Sequence, residues 1–185
     1  MNNAVWLVPV LGYWLGSVLP ADYVVRRILG ASPTDYGENL GTAATWRLAG
    51  PRPALIVLAY DLFKGFFPVF LAAQCSASPA VLVASAAAPV VGHNWPVQRS
   101  FRGGRGMAAA IGALLYLVPT ALIPALAVGG IIAVYKRRTP WVAFVGLPLG
   151  LVLALYLQLP GYKLIAILVL GLLLLVRQLQ WGDWS

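Results

Sequence analysis

The stretch Met107-Ala108-Ala109-Ala110-Ile111-Gly112-Ala113-Leu114-Leu115-Tyr116-Leu117-Val118-Pro119-Thr120-Ala121-Leu122-Ile123-Pro124-Ala125-Leu126-Ala127-Val128-Gly129-Gly130-Ile131-Ile132-Ala133-Val134-Tyr135 decides the fold class. With Gly106 it makes thirty consecutive residues without Asp, Glu, Lys or Arg, between Arg105 and Lys136. A bilayer-spanning helix needs only about 20 apolar residues. The run is too long for one upright span and carries Pro119, Pro124 and Gly129-Gly130, so it splits near Val118-Pro119. A second uncharged run, 65–98, lies between Lys64 and Arg99. Across the 185 residues, 61% are hydrophobic and 10% charged, and the mean hydropathy is +0.83. A soluble chain of this size could not hide so much apolar surface, so this sequence reads as an all-α integral membrane protein, one multi-pass domain over 1–185.

Apolar runs bounded by charges, Gly and Pro predict helices near 4–25, 53–74, 79–98, 107–118, 120–135, 140–158 and 162–178, about seven spans. The first lacks a positive n-region and a small-residue cleavage site, so it reads as a retained helix. There are 13 Lys+Arg against 5 Asp+Glu, a formal charge of +8. With the N-terminus outside and the C-terminus cytoplasmic, the inner loops and inner end hold Arg26, Arg27, Arg47, Arg52, Arg99, Arg102, Arg105, Lys136, Arg137, Arg138 and Arg177. Lys163 falls outside and Lys64 within a span. One unbroken helix over 107–135 would move Lys136-Arg137-Arg138 outside, so the charge asymmetry favours the split. The positive charge is then an orientation signal and an attraction for anionic lipid or substrate, and nucleic acid is not an expected partner. The single Cys75 excludes a disulfide framework and a cysteine metal site.

Three clusters carry chemistry. Asp61 and Lys64 stand inside the second predicted helix, Lys64 roughly 16 Å from Pro53 at helical rise. Ionised groups at that depth face a bundle interior or a cavity, and i, i+3 spacing lets the two pair. They serve either as an ion pair fixing helix packing or as a lysine presented to an anion and oriented by Asp61. The second cluster is Gly92-His93-Asn94-Trp95-Pro96, followed by Phe101-Arg102-Gly103-Gly104-Arg105-Gly106 at a helix start. Gly103, Gly104 and Gly106 expose backbone N–H groups at a positive helix end, and Arg105, with Arg102, adds a forked donor suited to phosphate. Taken alone, Gly-Gly-Arg-Gly also serves as a basic juxtamembrane turn, and His93, the single histidine, as a packing histidine. The third cluster is Gly37-Glu38-Asn39-Leu40-Gly41-Thr42-Ala43-Ala44-Thr45-Trp46-Arg47, on the same predicted side. Arg47, Lys64 and Arg105 are expected to converge there.

These residues resemble the PlsY family of integral-membrane glycerol-3-phosphate acyltransferases. Gly12–Pro20 is similar to the family's first helix, 37–47 to its S-G-N-x-G-A-T-N-x-x-R loop, Asp61–Pro68 to D-x-x-K-G-x-x-P, and 92–106 to G-H-x-x-P and F-x-G-G-K-G. Lys136-Arg137 matches a basic pair after the fifth helix. Gly37-Glu38 stands where Ser-Gly is usual, Ala43-Ala44 replace Thr-Asn, Arg105 replaces Lys, and Thr139-Pro140 follows the basic pair in place of a serine. A terminal Arg-His-x-x-Asn is reduced to Arg177-Gln178-Leu179-Gln180-Trp181. The resemblance implies a bacterial plasma-membrane enzyme of phospholipid biosynthesis that transfers an acyl chain from acyl phosphate to the 1-hydroxyl of glycerol-3-phosphate. Its products are lysophosphatidate and phosphate, and it uses no metal or cofactor. It implies His93, Lys64 and Arg105 as catalytic residues, with Asn39, Gly41, Arg47, Arg102, Gly103, Gly104 and Gly106 on substrate phosphate. Either His93 or a substrate phosphate oxygen takes the hydroxyl proton. A different class remains open: a non-catalytic PlsY-like subunit of a membrane complex or a lipid-binding protein, docked through Trp181-Gly182-Asp183-Trp184-Ser185.

Overall fold

The computed structural model describes residues 3–75 and 77–181; Gly182–Ser185, where the aromatic docking segment was expected, lie outside the described residues. Nine α-helices occur among the described residues: α1 Leu7–Ser17, α2 Pro20–Leu29, α3 Thr42–Ala49, α4 Pro51–Gln74, α5 Pro79–Asn94, α6 Met107–Leu117, α7 Pro119–Lys136, α8 Trp141–Tyr156 and α9 Gly161–Trp181. Proline opens α2, α4, α5 and α7, where its missing N–H costs nothing and its fixed φ suits the first turn.

The expected break at Val118-Pro119 is present. Val118 leaves the helical region at φ −140°, ψ 48°, because the Pro119 ring disfavours helical geometry in the residue before it. The same rule corrects the expectation of one helix over 4–25. Val18 is extended at φ −74°, ψ 122°, and Leu19 precedes Pro20, so α1 and α2 are separate helices. A second correction concerns 37–47, expected as a loop: its second half is helix α3, which carries Arg47.

Five segments are long and apolar enough to cross a membrane: Ala4–Leu29, Pro51–Gln74, Pro79–Arg99, Pro119–Lys136 and Gly161–Trp181. Met107–Leu117 and Trp141–Tyr156 are shorter apolar helices. Leu7, Leu11, Ile56, Ile131, Val134, Leu168 and Leu172 are all exposed, as expected where lipid replaces water as the outer solvent.

Small residues set the helix spacing. A Cβ on Gly16 would lie 2.2 Å from the Pro89 carbonyl oxygen, and one on Gly92 2.1 Å from that of Tyr13, so α1 and α5 touch backbone to backbone. Gly65 and Gly112 do the same between α4 and α6, against Ala109 and Leu62. The main core runs through Val69, Val90, Ala109, Leu114, Leu117, Ala121, Ile167 and Leu170, tying α4 through α7 to α9. At one end, Asp22 of α2 pairs with Arg26 at 3.1 Å and with Arg99 and Ser32. The 95–106 loop, the start of α4, the α7–α8 connection and the last turns of α9 gather at that end.

Candidate active site

The loop between α5 and α6 is held on three sides. Tyr13 Oη donates to the Trp95 carbonyl at 2.9 Å and accepts from the Val97 N–H at 3.1 Å, fastening the loop's start to α1. Gly103 N–H donates to the Asn94 carbonyl at 3.1 Å and Gly104 N–H to the His93 carbonyl at 3.0 Å. From α9, Arg177 closes the far side: its Nε donates to the Gly104 carbonyl at 2.9 Å and its Nη2 to the Gly103 carbonyl at 2.7 Å. The guanidinium lies 5.7 Å from the ring centroids of both Trp95 and Trp181. Gly103 and Gly104 were expected to present their N–H groups to phosphate. Instead both N–H groups donate to the last turn of α5 and both carbonyls accept from Arg177, and these glycines serve close approach. A Cβ on Gly103 would lie 2.0 Å from the His93 carbonyl oxygen, and one on Gly104 2.2 Å from His93 Nε2. Gly106, at φ +71°, turns the chain into α6.

Beneath this loop lies a closed polar triad. Lys64 is fully buried, the bulkiest such side chain described. Its Nζ contacts Asp61 Oδ1 at 2.7 Å, His93 Nδ1 at 2.7 Å and the Val18 carbonyl at 3.0 Å. The ammonium is thus surrounded by a carboxylate, an imidazole nitrogen and a carbonyl. Pairing with Asp61, which is 1% exposed, supplies the compensation that a charge at this depth requires. Lys64 does not join Arg47 in the lining of the cleft described next. His93 Nδ1 faces the Lys64 ammonium, and its Nε2 lies on the Gly104 side. The imidazole is buried and lines neither the cleft nor the groove described next.

The polar cleft, about 750 Å³, is lined by Tyr36, Glu38, Asn39, Arg47, Arg105, Arg137, Arg138, Thr139 and Trp181. Arg47 Nε donates to Glu38 Oε1 at 2.6 Å, and Nη2 to Oε2, a two-pronged pair that aims the guanidinium. The hydrogen bond from Arg47 holds the Glu38 carboxyl below its ordinary pKa, and the same bond raises that of Arg47. Gly41 begins α3, its carbonyl accepting from the Thr45 N–H at 3.0 Å, and sets Asn39 at the cleft's edge. Arg102 does not share the cleft with Arg105. It lines a different cavity with Thr34, Arg99, Gly103, Arg177 and Gln180.

Between α8 and α9 runs an apolar groove of about 460 Å³, walled by Ala143, Phe144, Leu147, Leu151, Leu168, Gly171, Leu172 and Leu175. Arg105 and Pro140 line both the groove and the cleft, so a greasy channel opens onto an arginine-rich pocket at one guanidinium. Arg105 itself lies 5.8 Å from the Trp181 ring.

The sequence profile of the glycerol-3-phosphate acyltransferase family matches residues 6–181. The chain belongs to that family. The glycerol-3-phosphate acyltransferase of Rubrobacter xylanophilus is 41% identical over 140 residues, 75% of this chain and 70% of the relative. That of Thermus thermophilus is 33% identical over 175 residues, 94% and 87% of the two chains. Among solved structures, the lysophosphatidic acid form of PlsY, an integral membrane glycerol 3-phosphate acyltransferase, superposes with a TM-score of 0.85 at 25% identity, covering 96% of this chain and 89% of that one. The fold is therefore that of a multi-pass integral membrane protein.

Family membership sharpens what the motifs meant. The D-x-x-K and G-H motifs, expected at the substrate, meet each other under the loop. Glu38, which departs from the family's Ser-Gly, is the partner that orients Arg47. Arg138 and Arg177 were not expected at the site, yet one lines the cleft and the other clamps the loop. The basic triplet beside Thr139 was a usable signal for the first, and the Arg retained from the family's terminal Arg-His-x-x-Asn segment for the second.

Proposed function

We propose that this chain is an acyl-phosphate-dependent glycerol-3-phosphate 1-acyltransferase of the bacterial plasma membrane. Its relatives' names supply the acceptor, and the observation that carries the reading is the junction of groove and cleft at Arg105. An acyl phosphate is a chain with an anionic head, and it fits with its tail between α8 and α9 and its phosphate against Arg105. The second phosphate, that of the acceptor, lies among Asn39, Arg47, Arg137 and Arg138. Two phosphates are thus drawn to one carbonyl, and catalysis is positioning plus stabilisation of charge developing on the carbonyl oxygen and leaving phosphate.

The acceptor's 1-hydroxyl attacks the acyl carbonyl, a new C–O bond forms, and the carbonyl-to-phosphate bond breaks with its electron pair leaving on phosphate. The hydroxyl proton passes to a phosphate oxygen of the substrates, because His93 is buried and lines neither the cleft nor the groove. Asp61, Lys64, His93, Gly103, Gly104 and Arg177 position the loop, and Thr139 offers a hydroxyl at the cleft wall. Seven spans, with the N-terminus outside and the C-terminus cytoplasmic, put the cleft on the side where glycerol-3-phosphate is met, and a cysteine-accessibility scan checks that orientation. Purified protein given acyl phosphate and labelled glycerol-3-phosphate should form lysophosphatidate. Arg105→Ala should lower kcat/KM about 10²–10³-fold, as removal of one charge-stabilising donor does. No product above that variant's background would refute the reading.

A further inference from the structure

Helical glycines in this chain are of two kinds. Gly16, Gly65, Gly92 and Gly112 are demanded by packing, since a Cβ on any of them would lie 1.9–2.2 Å from a backbone oxygen of the neighbouring helix. Gly171, in the middle of α9, is not. A Cβ there would meet one atom within 4 Å, Leu147 Cδ1 at 3.6 Å, an ordinary contact. Glycine is a poor helix former and gains nothing here from packing. What its missing side chain does provide is space in the α8–α9 groove, where Gly171 of α9 and Leu147 of α8 lie side by side in the lining.

The position along the groove is the same on both walls. Gly171 is seven residues from Gln178 at the cleft end of α9, and Leu147 is seven from Pro140 at the cleft end of α8. At a rise of 1.5 Å per residue, both stand about 10 Å from the junction. The groove continues four residues further, to Ile167 and Leu151, about 16 Å in all. An extended alkyl chain advances about 1.25 Å per carbon, from a bond of about 1.52 Å and an angle of about 111°. The Gly171–Leu147 pair therefore stands beside roughly the eighth carbon, and the groove accommodates roughly thirteen. Leu168 and Leu172 flank this point and are exposed, so the groove is open to lipid along its side.

We propose that Gly171 sets acyl-chain selectivity: by lacking a side chain beside Leu147 it leaves the groove open past the eighth carbon, and thereby admits long-chain donors. This rests on the acyl-phosphate reading above. The test compares kcat/KM for octanoyl and hexadecanoyl phosphate in wild type, Gly171→Ala and Gly171→Phe. In Gly171→Phe the hexadecanoyl-to-octanoyl ratio should fall at least about tenfold, the scale on which a pocket discriminates by a methylene or more, and Gly171→Ala should keep the wild-type ratio. An unchanged ratio in Gly171→Phe overturns the proposal. If that variant does not fold, Leu147→Trp narrows the same point from α8 and should shift the ratio the same way; an unchanged ratio there overturns it too. A wild type inert with both donors instead refutes the acyl-phosphate reading on which the proposal stands.

Discussion

Replacing Lys64 with methionine tests whether the buried triad is structural. The side chains are similar in length, so the change removes chiefly the ammonium and its three contacts, to Asp61, His93 and the Val18 carbonyl. Asp61, 1% exposed, is left as an uncompensated buried carboxylate beside an imidazole that has lost its donor. Removing one partner of a buried ion pair costs about 3–5 kcal/mol, most of it the stranded charge. Thermal unfolding in detergent, followed by tryptophan fluorescence, should show a fall of about 6–20 °C, at about 2–4 °C per kcal/mol for a chain of this length. The double variant Asp61→Leu/Lys64→Met removes both charges, and because an apolar replacement of a buried pair is often neutral, it should recover most of that loss. A single variant melting within about 2 °C of wild type would refute the account, since Lys64 would then not be compensating Asp61. A double variant no more stable than the single would refute it from the other side.

Gly104→Ala should disable the loop, because its Cβ would lie 2.2 Å from His93 Nε2 and 2.7 Å from the Leu40 carbonyl oxygen. Overpacking of this kind costs about 1–3 kcal/mol, read as a lower melting temperature together with lost activity. Arg177→Lys keeps the charge but cannot serve the Gly103 and Gly104 carbonyls with one planar fork. Its kcat should fall more than its KM rises in steady-state assays, and a wild-type kcat would contradict the clamp. Glu38→Gln should weaken the hold on Arg47 and raise KM for glycerol-3-phosphate, at a stability cost of about 0–1 kcal/mol for so exposed a pair. Because Arg47 holds the folded-state pKa of Glu38 below its ordinary 4.5, that stability is fully present above the ordinary value and is lost as pH falls through the lowered one. Melting curves of wild type and Glu38→Gln should therefore differ at pH 7 and converge in acid.

The membrane class, the helix count near the long uncharged runs and the break at Val118-Pro119 were legible because each depends on local composition or on one residue's effect on its neighbour. The motif spacing carried the family for the same reason. The separation of α1 from α2 obeyed the same proline rule at Pro20 and was there to be read; α3 was hidden because Ala43-Ala44 in a polar loop look alike whether helical or not. Where the charged motifs go was a matter for the tertiary structure alone. Lys64 reaches Val18 across 46 positions and His93 across 29, and Arg177 reaches Gly104 across 73, distances at which sequence patterns say nothing about direction. Those long-range contacts hold the lysine away from the cleft and clamp the loop through its glycine carbonyls. They also leave Arg105 at the meeting of an apolar groove and a basic cleft. Sequence thus determined which stretches are long and apolar enough to cross a membrane, where burying a charge demands a partner. Only the packed helices decided which partner each charge found.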